Sequence, residues 1–487
     1  MPRITLPSAQ GGLNLRDSLD NMPAIDCLQM DNVIPDVSED RVRSGFNKVS
    51  DFGANRLIRF ENNVLAADNS KVSLINTSTG ADTLLKDGFF SSDWKYTAFQ
   101  TAGGNPLIIL ANGVDTVQQY DGATLEDSTY TGTDLTNLES PLTFKNRTYF
   151  VKRDSLSFFY SGVQSISGDL KEFSVRGFAR KGGSILTIES WSQDAGEGLT
   201  NLFAVFTTEG EVLIYGGDDP EADNWALKGV FEISKPIGKR CCLNYGSDVI
   251  VITEQGYLPL ASVLSQDKAN IVPVSDKINS IVKGKDFTDR NWSMHWYSND
   301  GWLFINAPSS TRFNYEQHVL NIKTNAWCRF VGMDAIDWVV VEDKIYFCNT
   351  TGIYKANDGT TDDGNPINYV KQQAYSKLNG EKVKGVQRVK IRYNTVGAIE
   401  YATRIGVDFD LGTANFLVGT SLGVQSYWDE AIWDVSFWSD TSSVRSYKGS
   451  VFAPKGEYIS IGYFGNSEQG LSFYSADVLY EAGNGDF

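Results

Sequence analysis

Two histidines, five cysteines and several acidic clusters are the residues of this 487-residue chain with types suited to chemistry. Catalysis of the Ser-His-Asp or Cys-His kind needs an imidazole within hydrogen-bond reach of its nucleophile. His295 lies in Trp292-Ser293-Met294-His295-Trp296-Tyr297 and His318 in Gln317-His318-Val319-Leu320, so both read as strand residues with structural roles. No Gly-x-Ser-x-Gly elbow occurs. Gly-x-x-x-x-Gly-Lys-Ser/Thr and Gly-x-Gly-x-x-Gly are missing too, so nucleotide chemistry has no visible phosphate cradle. The run Asp218-Asp219-Pro220-Glu221-Ala222-Asp223 and residues 358–363 offer oxygen ligands suited to calcium. Both lack the Asp-x-Asp-x-Asp-Gly register with a distal Glu, and they read as solvated loops. Glycosidase carboxylates drawn from separate strands leave no local signature among 60 acidic residues. Trp292, Trp296 and Trp302 are a candidate sugar-stacking platform, although alternating aromatics in strands more often form core. Cys27, Cys241, Cys242, Cys328 and Cys348 are odd in number and include an adjacent pair, so free buried thiols are expected. No catalytic residue, metal ligand or cofactor is assigned, and the chain reads as a non-enzyme.

The elements that carry these residues are strands. Aromatics make up 12% of the chain, and 45 Gly against 13 Pro favour strands joined by tight turns. Arg56 to Phe60 and Asn63 to Ala67 flank Glu61-Asn62, while Leu107 to Ala111 and Val114 to Val117 flank Asn112-Gly113. Leu202 to Phe206 and Glu211 to Tyr215 flank Glu209-Gly210, and Asp337 to Val341, Lys344 to Cys348 and Gly352 to Lys355 form the last such group. Such turns recur near Asn63, Gly113, Gly162, Gly210, Gly256, Gly301 and Gly352, at intervals of about 45 to 51 residues, the spacing of propeller blades. An all-β fold is expected, with a β-propeller of six or seven blades over residues 51–358; a two-sheet stack is the alternative. The polar segment Asn357 to Gly364 is a hinge, and the alternating strands beyond it predict an antiparallel β-sandwich over 366–487. Short helices are expected only over Asp276 to Lys283 and Ala24 to Asp31. Residues 1–50 lack long apolar periodicity and contain Pro23 and Pro35, and they read as an extended docking arm.

The formal charge of −17 excludes a tight nucleic-acid binder, which needs clustered Lys and Arg. Acidic subunits around a pore would instead repel DNA and let it slide. No run of about 18 apolar residues occurs and the first residues lack the apolar core of a secretory signal, so no membrane span and cytoplasmic synthesis are expected.

Three short motifs stand in order within the arm: Gly11-Gly12-Leu13-Asn14, Asp31-Asn32-Val33-Ile34-Pro35 and Val42-Arg43-Ser44-Gly45-Phe46. Trp428-Asp429-Glu430-Ala431-Ile432-Trp433-Asp434 and Leu479-Tyr480-Glu481-Ala482-Gly483 stand near the other end. Together they resemble the tail nozzle proteins (tail tubular or tail-stabilisation proteins) of short-tailed bacteriophages. The matching motifs cover about 50 residues and bracket the chain. The resemblance implies a structural virion protein of the tail, made in the host cytoplasm. It implies a hexameric ring docked on portal and adaptor (head-to-tail connector) proteins, with a tail fibre or tailspike as a further neighbour. Such a ring closes the DNA channel and conducts DNA through its lumen on ejection, without tight binding. The candidate docking residues are then Gly11, Gly12, Asn14, Asp31, Asn32, Pro35, Arg41, Arg43, Phe46, Trp428 and Trp433. Arg41 and Arg43 would share one face of a strand, and Gly45 would supply a positive φ before Phe46 is buried. Loops 161–171 and 216–223 are long enough to project into a channel. On this reading, removing residues 1–46 abolishes assembly and leaves the propeller folded. A glycan-binding or glycan-hydrolysing propeller and a cellular propeller scaffold are the alternatives.

Overall fold

The computed structural model describes residues 1–194, 199–265, 272–309, 315–378, 380, 382–395, 399–411, 415–420, 443–450 and 455–483. Apart from one two-stranded parallel pair, Thr129–Thr131 with Ser167–Asp169, the strands of residues 56–356 form seven antiparallel units, one after another. They span 56–87, 95–127, 138–174, 185–232, 242–259, 293–330 and 337–356, and are numbered here blades 1 to 7. From blade 2 onward the first strands of successive blades lie side by side, and that of blade 7 lies against that of blade 1. Blades 1 and 2 share a core of Ile58, Leu65, Trp94 and Ile108. The ring closes as a seven-bladed β-propeller.

Tight turns set the register within blades. Lys145-Asn146 and Glu342-Asp343 both adopt positive φ at the two central positions (48° and 60°, 50° and 59°), the geometry that matches strand twist in a two-residue hairpin. Asn112-Gly113 behaves differently: the following strand starts at Gln118, not Val114. Here the Asp115 carboxylate accepts backbone N–H bonds from Phe90 and Ser91 at 3.0 and 3.1 Å, which holds residues 112–115 in a loop. Aromatic rings fill the space between blades. Phe144 and Phe203 meet edge to face at 5.4 Å, and Tyr215 stacks on Trp225 at 5.4 Å, between blades 3 and 4 and within blade 4. Each such pair adds about 0.5–1.5 kcal/mol to its area burial.

The arm is woven into both parts of the molecule. Strand Phe46–Ser50 is the fourth strand of blade 7, antiparallel to Gly352–Ala356 with Phe46 opposite Ala356. Gly12–Leu13 and Asp26–Asp31 continue the sheet of blade 6 beyond Ala326–Phe330. That sheet runs on through Ile367–Gln373, Ile459–Ser467, Ile399–Val407 and Asn415–Thr420, ten strands in all. Asp26–Asp31 corrects the expected helix over 24–31, because its backbone is taken up by strands on both sides. The expected helical turn over 276–283 is present as a 3-10 turn, Asp276–Ile278, followed by helix Asn279–Lys283. A short helix Leu260–Ser265, unforeseen in the sequence, follows the three strands of blade 5.

A second sheet completes the C-terminal sandwich. Lys384–Thr395 lies between Ser443–Ser450 and Leu471–Ala482, and the arm strands Arg3–Pro7 and Asp40–Val42 pair with Leu471–Ala482. Its core is aromatic: Phe473 stacks on Tyr463 with ring centres 3.9 Å apart and meets Tyr369 at 5.9 Å across the two sheets.

Candidate functional site

Two places concentrate buried polar chemistry, namely the junction of arm, propeller and sandwich, and the propeller axis.

At the junction, Gly12 has φ +67° and packs so closely that a Cβ would stand 2.5 Å from the Trp327 carbonyl oxygen. A Cβ on Gly11 would overlap the Asp26 carboxylate. Asn14 donates to Asp26 at 2.6 Å and to Asp17 at 2.8 Å, and Lys277 pairs with Asp26 at 3.1 Å. Asp31 accepts from the Arg329 guanidinium at 2.7 and 2.8 Å. Asn32, at φ 57°, connects three parts of the molecule. Its amide donates to the Val331 and Asn368 carbonyls at 3.0 and 2.7 Å, and its oxygen accepts from the Val331 N–H and from Arg43 at 3.0 and 2.9 Å. The Pro35 carbonyl accepts from Asn321 at 2.8 Å and Thr324 at 3.1 Å. Arg43 is bidentate to Asp362 and lies over the Phe330 ring, 5.8 Å from its centre. Phe46 meets Phe347 at 5.1 Å and Tyr354 at 5.4 Å, edge to face. Gly45 is held by space, not by φ: a Cβ there would overlap the Thr361 carbonyl, and its φ is not positive.

These side chains are thus engaged within their own chain. Arg41 is the exception, since it is half-buried beside a cleft of about 240 Å³ with Thr360, Asn394 and Gln469 and makes no ion pair among the described residues. Trp428 and Trp433 lie outside the described residues. The sequence reading missed Asp40, which is fully buried, accepts the Ala9 N–H at 2.9 Å and the Tyr463 hydroxyl at 3.2 Å, and pairs with Lys371. Nothing local marks it among the other acidic residues; its partners come from the far end of the chain.

The axis was not foreseen either. Arg56, Lys239 and Arg240 converge on Asp93 at 3.2, 2.9 and 2.5 Å, and Lys95 pairs with Glu189 at 2.6 Å. Arg56 also reaches Asp337 at 3.5 Å. Burial alone would raise the Asp93 carboxyl, but Lys239 and Arg56 outweigh it and hold the group below its usual range. Burial raises Glu139 and lowers His295. The first strands of blades 1, 2, 5, 6 and 7 line a cavity of about 430 Å³ beside this cluster.

The remaining candidates have structural partners. His318 is buried, takes a 2.6 Å hydrogen bond with Tyr257 through Nδ1, and meets Glu316 through Nε2 at 2.9 Å. Trp292 and Trp302 are buried, and Trp296 packs on Tyr245 at 5.0 Å. They form no exposed platform. The acidic run 218–223 is bound by Lys145, Arg147 and Lys171, the last pairing with Glu221 at 2.6 Å. Loops 161–171 and 216–223 therefore meet each other beside the outer strands of blades 3 and 4. All five cysteines are free, with the Cys241 and Cys242 sulfurs 3.6 Å apart. Among the described residues no cluster of three His, Cys, Asp or Glu is arranged to hold a metal ion, and no helix is long and apolar enough to cross a membrane.

Fold and junction together define a seven-bladed propeller that is closed and continued by its own chain ends. No family model and no curated protein matches the chain. Among solved structures it is similar to the computationally designed Ika8 protein, at 10% identity and a TM-score of 0.38, over 67% of this chain and 95% of that one. It is similar to BBS1N, solved in complex with ARL6DN, at 11% identity and a TM-score of 0.42, over 66% and 99%. A chain of the mitotic checkpoint complex is similar at 11% identity and a TM-score of 0.41, over 64% and 93%.

Proposed function

We propose that this chain is a structural nozzle protein of a short bacteriophage tail, acting as one subunit of a ring. The observation that carries this reading is the ten-stranded sheet, which runs without interruption from blade 6 through the arm into the C-terminal sandwich. A subunit that must stand in a pressurised wall needs its parts fixed rigidly, and a shared sheet resists hinge motion far better than a linker. The motifs Gly11 to Asn14, Asp31 to Pro35, Val42 to Phe46 and Leu479 to Gly483 all fall in or beside this unit, which supports their use as one platform.

On this proposal the platform docks on adaptor and portal rings and on neighbouring subunits, six to a ring. The propellers stand around a lumen that DNA crosses, and the charge of −17 per chain keeps that DNA from adhering. The platform's free surface, with the Arg41 cleft on it, is the part left for adaptor contact. The protein would reside in the virion tail and turn over no substrate.

The test is reconstitution with portal and adaptor proteins, which on this proposal should be encoded among its neighbouring genes, followed by native mass spectrometry and electron microscopy. A sixfold ring on the adaptor is expected. A monomer that stays monomeric beside both partners, or hydrolysis of a host polysaccharide by the purified chain, would overturn the reading.

A further inference from the structure

The cavity on the propeller axis has the chemistry of a ligand site. Its volume of about 430 Å³ lies within the range of small-molecule pockets. Arg56, Arg59, Lys95 and Arg240 contribute positive charge to its lining against one carboxylate, Asp337, and Trp94 and Trp296 contribute apolar walls. This is cationic lining in a chain whose net charge is −17.

Two observations indicate what it would accept. First, the local carboxylates are shared: Asp93 lies within 3.2 Å of Arg56, Lys239 and Arg240 at once, and the further carboxylates, Asp337 for Arg56 and Glu139 for Lys239, stand at the longer distances of 3.5 and 3.7 Å. Second, the lining holds buried donors without acceptors. Arg56 Nε, Arg240 Nε and Trp94 Nε1 all lack a hydrogen-bond partner, and the Arg56 side chain is only 4% exposed. Buried N–H groups are rarely left unmatched, because each forfeits its hydration on folding. All three orphans are donors, so the complement is an acceptor-rich group.

We propose that the axial cavity binds a small oxyanion-bearing molecule, carboxylate or phosphate, with Arg56 and Arg240 as its anchors and Trp94 and Trp296 as its walls. The site belongs to the single chain and does not depend on ring assembly. Because its groups come from five blades, occupancy ties those blades together across the axis.

The experiment is titration calorimetry on the full-length protein with inorganic phosphate, pyrophosphate and citrate, each at ionic strength matched with sodium chloride. Saturable binding of at least one is expected, and the three arms separate phosphate from carboxylate chemistry. Arg240→Gln should weaken that binding about tenfold or more. Leu243→Trp, which fills the cavity from blade 5 without touching a charge, should abolish it. Absence of saturable heat for all three anions, disappearance of binding when ionic strength is matched, or an affinity unchanged in folded Leu243→Trp would each overturn the proposal.

Discussion

Arg43 grips Asp362 through two parallel hydrogen bonds of 2.7 and 2.6 Å across 319 positions of sequence. The guanidinium is 2% exposed, and its Nε is used by Asn32, so arm, hinge and blade 6 meet at one side chain. A planar fork fits a carboxylate in a way that an ammonium does not. Arg43→Ala leaves Asp362 facing an emptied, largely dry site and should cost about 3–5 kcal/mol. Arg43→Lys should recover part of that loss. Urea denaturation of the two variants measures both, and an alanine variant with an unchanged midpoint would refute the assignment.

Gly12 makes a sharper steric prediction. A methyl group there meets the Trp327 carbonyl oxygen at 2.5 Å and Ala326 Cβ at 2.9 Å, with φ already at +67°. Backbone strain and overlap add, so Gly12→Ala should destabilise by on the order of 3 kcal/mol. Gly168, at φ +91° with nothing within 4 Å, is the control. Gly168→Ala carries the strain alone and should cost about 1–2 kcal/mol. Equal melting temperatures for the two variants would remove the argument from packing.

Local features were legible in the sequence because their causes are local. Glu342-Asp343 marks its own hairpin, and Val249 to Ile252 reads as a buried strand by apolarity alone. What was not legible depends on distant partners. Phe46–Ser50 gives no sign that it pairs with a strand some 300 residues away, and Asp26-Cys27-Leu28-Gln29-Met30-Asp31 does not alternate, its buried residues falling on both faces of the strand. Gly45 was expected to provide positive φ, whereas the Thr361 carbonyl is what requires it. The axial cluster draws Arg56, Asp93 and Arg240 from different blades, so no spacing rule brings them together.

Glu316 sets an acid limit on stability. Burial would raise its carboxyl, but the hydrogen bond from His318 and the Lys285 ammonium at 2.7 Å outweigh burial and hold it at about 2. The unfolded chain therefore takes up this proton first, near the ordinary value of 4.5. The stabilisation is complete above about 4.5 and disappears as pH falls through about 2. Glu316→Gln should lower stability at neutral pH by up to about 3 kcal/mol. The gap between variant and wild type should narrow below pH 4.5 and close toward pH 2. Denaturation midpoints measured across that range decide it; a gap independent of pH would show that the carboxylate charge is not the cause.

The arm's role in closing the ring leads to a test of the whole architecture. The motif pattern alone implies that residues 1–46 are dispensable for the propeller. The structure argues otherwise. Deleting residues 1–50 strips blade 7 of its fourth strand, exposes the edge of Gly352–Ala356 and removes Phe46 from its edge-to-face contacts with the stacked Phe347 and Tyr354 rings. It also takes Asp26–Asp31 out from between Ala326–Phe330 and Ile367–Gln373, which cuts the ten-stranded sheet in two. An unpaired, apolar sheet edge invites pairing with other chains. The truncated protein should therefore lose its cooperative thermal transition and its near-ultraviolet tryptophan signal, and it should aggregate. A synthetic peptide of residues 1–50 added during refolding should restore both signals, because the interactions that hold the arm are strand pairing and side-chain contacts and need no covalent link. A truncated chain that melts cooperatively with native ellipticity would mean that the propeller closes without its arm, and the arm would then be free to serve a partner first.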